Sequence, residues 1–250
     1  MRTNWHLPDQ DGESLTKAEL AGVTSIEVGY VDAPGYRHPL WDFLESAEYD
    51  LATLQAFSIL YYGHVRNFRR YLAGAITVAT DERLQGNLAE ILAEEYGRHF
   101  NVETQDYGPS HPHLYRQFMR SLGITEAAWT EAPTSDGARY MRDTHFALFR
   151  NDLEVEMLGA VIFGMEATTP YRHAKVATGL SIIAGREDLN IDDTFFSRHV
   201  EIDPRHGQSL ILPIHDWLIE TDLVAGLTRG ALISFEARCA FLDEVLAELN

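Results

Sequence analysis

The sequence predicts an all-α protein, a single domain of roughly seven or eight helices, and three observations predict it. Apolar residues recur three and four apart along most of the chain, the spacing of one helix face. Only "TSIEVGYV" (24–31) alternates as a strand does. The stretch "MLGAVIFGM" (157–165) is apolar on nearly every side, which marks a helix running through the centre of a bundle.

Taken in order, residues 1–37 lack a clear pattern outside 24–31 and read as an N-terminal arm or lid of the same domain. The helical domain spans 38–250. Residues 39–79 read as a short helix followed by a long one, weakened at Gly63 and Gly74. "DERLQGNLAEILAEEYG" (81–97) is amphipathic and stops near Gly97. A polar loop leads to "HPHLYRQFMRSLGI" (111–124), with Pro112 in its first turn and Gly123 at its end. Residues 136–151 are helical, and 152–170 form the central helix, closed by Pro170. Two further helices follow, the second capped by Asp192 or Asp193. The tail from Ser209 supplies one or two closing helices.

The 250 residues fit one domain or at most two, and 45% are hydrophobic, enough for a large core. A formal charge of −18 argues against nucleic acid or an anionic membrane as partner. The single cysteine, Cys239, permits no internal disulfide and no thiolate metal cluster. Its setting, "FEARCAFLDE", has the spacing of core packing, so Cys239 reads as a small buried hydrophobe. The N-terminus has no apolar h-region, and no run approaches a membrane span. A soluble cytoplasmic protein is the expectation.

"HVEIDPRH" (199–206) places His199, Asp203 and His206 within one narrow helical stripe, either a polar surface or a metal grip. Pro204 inside it should break the helix just after Asp203, leaving His206 on pliant backbone. Glu166 ends the apolar central helix, where a carboxylate must reach water, pair with Arg172, or meet a cation. Glu94 and Glu95 end another helix, and His111 opens the next. Bundles build dinuclear iron sites from such donors on facing helices. Carboxylate and imidazole without thiolate suit iron or manganese better than a structural zinc.

In four ordered places the chain resembles the haem-oxygenase-like diiron oxidases and oxygenases, which use that fold without haem. The places are "AEEYG", "SHPHLYRQFMRSLGI", "GAVIFGMEATTPY" and "FFSRHVEIDPRH", together spanning residues 95 to 206. Carried over residue by residue, the resemblance implies metal donors Glu95, His111, Glu166, His199, Asp203 and His206. The loop between Glu95 and His111 is longer than the family's usual one and contains His99, which competes with His111, as Glu94 competes with Glu95. The implied cofactors are two Fe(II) ions with O2 as co-substrate and no haem. The implied substrate is a small carboxylate-bearing molecule, foremost a free amino acid or derivative, that is desaturated, cleaved at a C–C bond or N-oxygenated in natural-product biosynthesis. Fatty-acid oxidative decarboxylation is the alternative within the family. Arg172, Lys175 and Arg198 are candidates to pair with the carboxylate. An external electron donor and a homodimer are compatible with this reading. From another class, a non-catalytic helical ligand-binding protein would need no iron. The thiaminase-like relatives use a cysteine nucleophile, a role that the setting of Cys239 does not support.

Overall fold

Side-chain caps set several helix starts in this computed structural model, which describes residues 14–98, 100–101 and 106–249. Thr16 opens α1 (Lys17–Tyr30) through a capping box with Glu19. The strand expected at 24–31 is therefore helical. Val23, Ile26 and Tyr30 are buried at helical spacing, and α1 packs on the C-terminal helix and the segment before it. The period-2 alternation of that stretch was overruled by the capping box upstream and by this packed face. The described part of the predicted arm is thus built into the bundle.

There are twelve α-helices among the described residues rather than seven or eight. The excess comes from breaks that periodicity does not register. After α2 (Pro39–Ser46), the long helix expected up to residue 79 divides into α3 (Leu51–Val65) and α4 (Phe68–Val78). The break is closed by Asn67, whose side-chain amide donates to the Gly63 carbonyl at 2.8 Å. Next come α5 (Glu82–Glu95), α6 (His111–Ser121), the short α7 (Glu126–Glu131) and α8 (Asp136–Arg150). Between α5 and α6, β1 (Phe100–Asn101) pairs antiparallel with β2 (Asp106–Tyr107).

The central helix also divides. Helix α9 (Glu154–Ile162) ends early, a 3-10 turn covers Glu166–Thr168, and α10 (Thr169–Glu187) begins. The hydroxyls of Thr168 and Thr169 both donate to the Met165 carbonyl, at 3.2 and 2.8 Å, and so stabilise the turn. Pro170 does not close a helix. It lies in the first turn of α10, where a missing N–H costs nothing.

Helix α11 (Thr194–Ile211) runs unbroken through Pro204, against the expected break. Buried Phe195 and Phe196 on one side of the proline and Leu210 and Ile211 on the other anchor it. Val200, whose carbonyl loses its helical donor to the proline, lines an open cleft together with Pro204. Of the two expected aspartates, Asp193 holds the cap position without a side-chain capping bond, while Asp192 just before it accepts the Thr194 N–H at 3.2 Å. A 3-10 segment (Leu212–Ile219) leads to α12 (Thr221–Leu249), the single closing α-helix.

Helix α12 lies against α8 and α9. A Cβ on Gly159 would fall 2.2 Å from the Leu227 carbonyl oxygen, and one on Gly230 would fall 1.9 Å from that of Glu156. Backbone thus meets backbone at this crossing, and only glycine fits. No helix among the described residues is long and apolar enough to cross a membrane.

Candidate metal centre

The six predicted donors come from four elements. Glu95 is the last residue of α5, His111 the first of α6, and Glu166 opens the 3-10 turn. His199, Asp203 and His206 share the inner stripe of α11, which the unbroken helix keeps aligned. All six are buried, none more than 8% exposed. The structure sorts them into two sets of three. Glu95, His111 and His199 bring one donor atom each to within 4.8 Å of one another, and Glu166, Asp203 and His206 do the same.

Hydrogen bonds orient the rings. His111 Nδ1 is 2.6 Å from Glu95 Oε1, and His199 Nδ1 is 2.5 Å from the Phe195 carbonyl oxygen. The latter contact leaves His199 Nε2 as the free donor. His206 turns Nδ1 toward Glu166 (3.4 Å) and Asp203 (3.6 Å), while its Nε2 meets Glu94 Oε2 at 3.1 Å. Glu94, weighed in sequence as a competing donor, thus stands behind His206 on the far side of the imidazole. Carboxylate, imidazole and metal in that order is how outer residues fix the orientation of a ligating histidine. His99 lies outside the described residues.

The electrostatics fit divalent cations. Burial, then the charge of Glu166, pushes the Asp203 carboxyl well above the usual range. Burial opposes a charge on His206, yet its contacts with Glu166 and Glu94 hold its pKa well above that of an ordinary histidine. Burial, with His111 and His173 nearby, drives His199 well below, so it is a neutral donor. Glu166 Oε1 and His111 Nε2 are buried without a hydrogen-bond partner. Each such atom is costly unless something supplies the missing charge or contact. Three carboxylates and three imidazoles in two clusters fit two cations of borderline hardness.

A third group, His38, Cys239 and Asp243, also has donor spacing. His38 is already engaged there, accepting the Leu40 N–H at 3.1 Å as helix cap and meeting Asp243 Oδ1 at 3.1 Å. Cys239 is half-buried rather than buried, because its sulfur lies beside the exposed Asp243 carboxylate at 3.6 Å.

A small cavity of about 40 Å³ adjoins the donors, bounded by Tyr61, His64, Phe68, Arg172, His173 and Phe195 among others. A larger cleft of about 820 Å³ lies between α1, α2 and the other side of Ala167–Thr168, Val200 and Pro204. Of the predicted carboxylate partners, Arg172 reaches the small cavity. It is buried, donates to Thr168 Oγ1 and to Thr169 Oγ1 (2.8 Å), and has an unpartnered Nε. Lys175 is held instead by Asp42 (2.7 Å) and Glu45, tying α10 to α2. Arg198, half-buried, lines neither cavity; beside His199 in the helix, it points away from the donor stripe.

Sequence reasoning passed over His64 and His173. His173 meets His199 edge to face with ring centroids 4.9 Å apart, and burial keeps it neutral. A signal existed: Glu166, Thr169 and His173 are spaced three and four apart, and all three line the small cavity.

Comparisons with known proteins bear on the fold and the family. A 4-aminobenzoate synthase of Chlamydia muridarum is 23% identical over 171 residues, 68% of each chain. The 4-aminobenzoate synthase of Chlamydia trachomatis is 24% identical over 155 residues, 62% of each chain. Among solved structures, a CADD-like protein of unknown function from Nostoc punctiforme superposes with a TM-score of 0.73 at 16% identity, covering 94% of this chain and 96% of its own. A TenA homologue from Pseudomonas syringae pv. tomato gives 0.68 at 14% identity, with 94% of both chains covered. A domain of unknown function from Shewanella denitrificans, described as having a haem oxygenase-like fold, gives 0.63 at 14% identity, covering 93% and 91%. These likenesses establish a haem-oxygenase-like fold. Residues 55–238 match the family described as iron-containing redox enzymes, and the chain belongs to that family.

Proposed function

We propose that this protein is a non-haem diiron oxidoreductase that uses O2 to oxidise a small carboxylate-bearing molecule. The observation that carries the reading is the pair of buried donor triads, set side by side along α11. Glu95, His111 and His199 would hold one ion, and Glu166, Asp203 and His206 the other. When bound, two ferrous ions supply the electrons and open coordination positions that O2 activation needs.

The chain's own residues do the rest. Glu94 holds the His206 ring, and the Phe195 carbonyl fixes the His199 tautomer. Phe68, Phe195 and Met165 give the small cavity beside the donors part of its apolar lining. Arg172, carried on α10 one turn past Thr168, presents its unpartnered Nε–H to a substrate carboxylate. The name of the chlamydial relatives, whose product is an aromatic carboxylate, supports the carboxylate class. A free amino acid falls within that class, as do desaturation, oxidative C–C cleavage and N-oxygenation. An external electron donor would return the ions to the ferrous state.

The test is anaerobic reconstitution with Fe(II), metal analysis, and O2 uptake with a panel of carboxylic and amino acids. We expect about two irons per chain and acid-dependent O2 uptake. Glu166→Ala, checked for folding by circular dichroism, should abolish uptake. Full activity of that variant, or of iron-free protein, would sink the proposal.

A further inference from the structure

Helix α12 carries a second buried arginine that the sequence pattern does not single out. Arg238 is 2% exposed, and both of its terminal nitrogens lack a hydrogen-bond partner. It lies on the inward stripe of α12 between Ser234 and Phe241. Ser234 is 3.1 Å from His145 Nε2 and lies against Gly164, the residue before the cavity-lining Met165. Phe241 packs on Tyr61 and His64, with ring centroids 6.1 and 6.3 Å apart, and both of those line the cavity. Arg238 therefore stands directly behind the cavity wall, with the Phe235 ring 5.4 Å from its guanidinium carbon. His64 Nδ1, in that wall, is also buried and unpartnered. On the cavity side stands Arg172 with its own unpartnered Nε.

Two buried guanidinium groups thus flank one cavity, Arg172 lining it and Arg238 behind its wall, and among the described residues no carboxylate forms an ion pair with either. Glu166 and Asp203 favour the charge on Arg172 from a distance, but neither forms an ion pair with it. The three donor carboxylates would be committed to the two ions, and Glu94 to His206, so none is a dedicated partner of either guanidinium. A buried cation without a counter-charge is strongly disfavoured, and an anion brought to it is correspondingly favoured.

We propose that Arg172 and Arg238 together form the seat for the substrate carboxylate, Arg172 touching it in the cavity and Arg238 acting on it through the Tyr61–His64 wall. This rests on the diiron reading and narrows its substrate. An α-amino acid carries an ammonium on the carbon next to its carboxylate, so seating it brings a third cation to the same place. The preferred substrate is then a carboxylic acid with no ammonium beside the carboxylate. Any amine it bears is remote from the acid or uncharged. Arg238 is a positioning residue, since it acts from behind the wall and does not touch the reacting atoms.

The test is titration calorimetry on iron-loaded protein kept free of oxygen, so that nothing turns over. The probes are matched sets: butyrate, 2-aminobutyrate and butyramide, then phenylacetate, phenylglycine and phenylacetamide. In at least one set the acid should bind about tenfold or more tightly than both the amino acid and the amide. Arg238→Met and Arg238→Gln should erase most of that preference without lowering the melting temperature, because each removes an uncompensated buried charge. A merely structural arginine would behave the other way, with stability lost and the preference kept, and failure of both variants to fold would equally overturn the proposal. Equal binding of acid and amino acid, or no acid binding in either set, would overturn it as well. Iron is measured in every sample, so loss of iron loading would refute the diiron reading, whereas normal loading with no acid preference would refute this inference alone.

Discussion

Acid should destabilise this protein through its buried neutral imidazoles, and His145 gives the effect a magnitude. His145 is fully buried on α8, with Nδ1 2.7 Å from the Met141 carbonyl and Nε2 3.1 Å from Ser234 Oγ, and it stacks on Tyr71 at 4.7 Å. Burial moves its pKa from 6.5 down to about 4. The unfolded chain therefore takes up a proton at this residue well before the folded protein does. A depressed folded pKa contributes stability that is present above pH 6.5 and is lost as pH falls toward 4. From about pH 7 to about pH 5, the ratio of the two protonation polynomials amounts to a loss of roughly 2 kcal/mol from this one group. His64, lowered by burial and by Arg238, adds in the same direction. The assay is urea unfolding at several pH values for the wild type and for His145→Gln, whose amide can keep both polar contacts. The wild type should lose about 2 kcal/mol more than the variant across that interval. Parallel pH dependences would refute the reasoning, since His145 would then titrate alike in both states.

Three further outcomes follow from the same geometry. Glu94→Ala should leave the Glu95, His111 and His199 site loaded and weaken the other ion about 10- to 100-fold, read by iron titration, because it removes only the outer partner of His206. His111→Ala should lose iron while His99→Ala keeps it; the reverse would move the donor into the long loop. Gly230→Ala should destabilise by about 1–3 kcal/mol in thermal unfolding, since its Cβ would fall on the Glu156 carbonyl and force α9 and α12 apart.

The helical class and the buried central segment were legible in the sequence because each rests on local spacing. The set of six candidate donors came from the family resemblance, with spacing alone offering only the stripe of His199, Asp203 and His206. Apolar residues three and four apart become α5, α6 and α8 whatever surrounds them, and His199, Asp203 and His206 share a stripe as soon as that segment is a helix. What was not legible depends on partners distant in sequence. Alternation in 24–31 looks like a strand until Thr16 and Glu19 start a helix and α12 covers its face. Pro204 reads as a breaker until packing on both sides of it holds the helix together. Lys175 looks like a free cation until α2 brings Asp42 and Glu45 to it. Arg238 is hidden for the same reason: in "FEARCAFLDE" it resembles any arginine of an amphipathic helix, and only the packing of α12 against α3 and α9 makes it a buried one.

Several departures from local rules lie close together. The turn at Glu166, the proline inside α11, the unpartnered imidazole of His64 and both uncompensated guanidiniums all lie at the donors or around the small cavity beside them. Away from it, the crossing of α9 and α12 obeys the ordinary rules of close packing, with glycine wherever backbone touches backbone. Buried polar atoms left unpaired beside the donors and the cavity are unfavourable terms that a guest could relieve. Two kinds of guest are needed, because the unmet demands have opposite sign. The two donor triads, three carboxylates and three imidazoles between them, would attract cations, and on the proposed reading Arg172 with Arg238 would attract an anion. Metal and acid would then stabilise one region of the fold together, each easing a charge that the other does not reach.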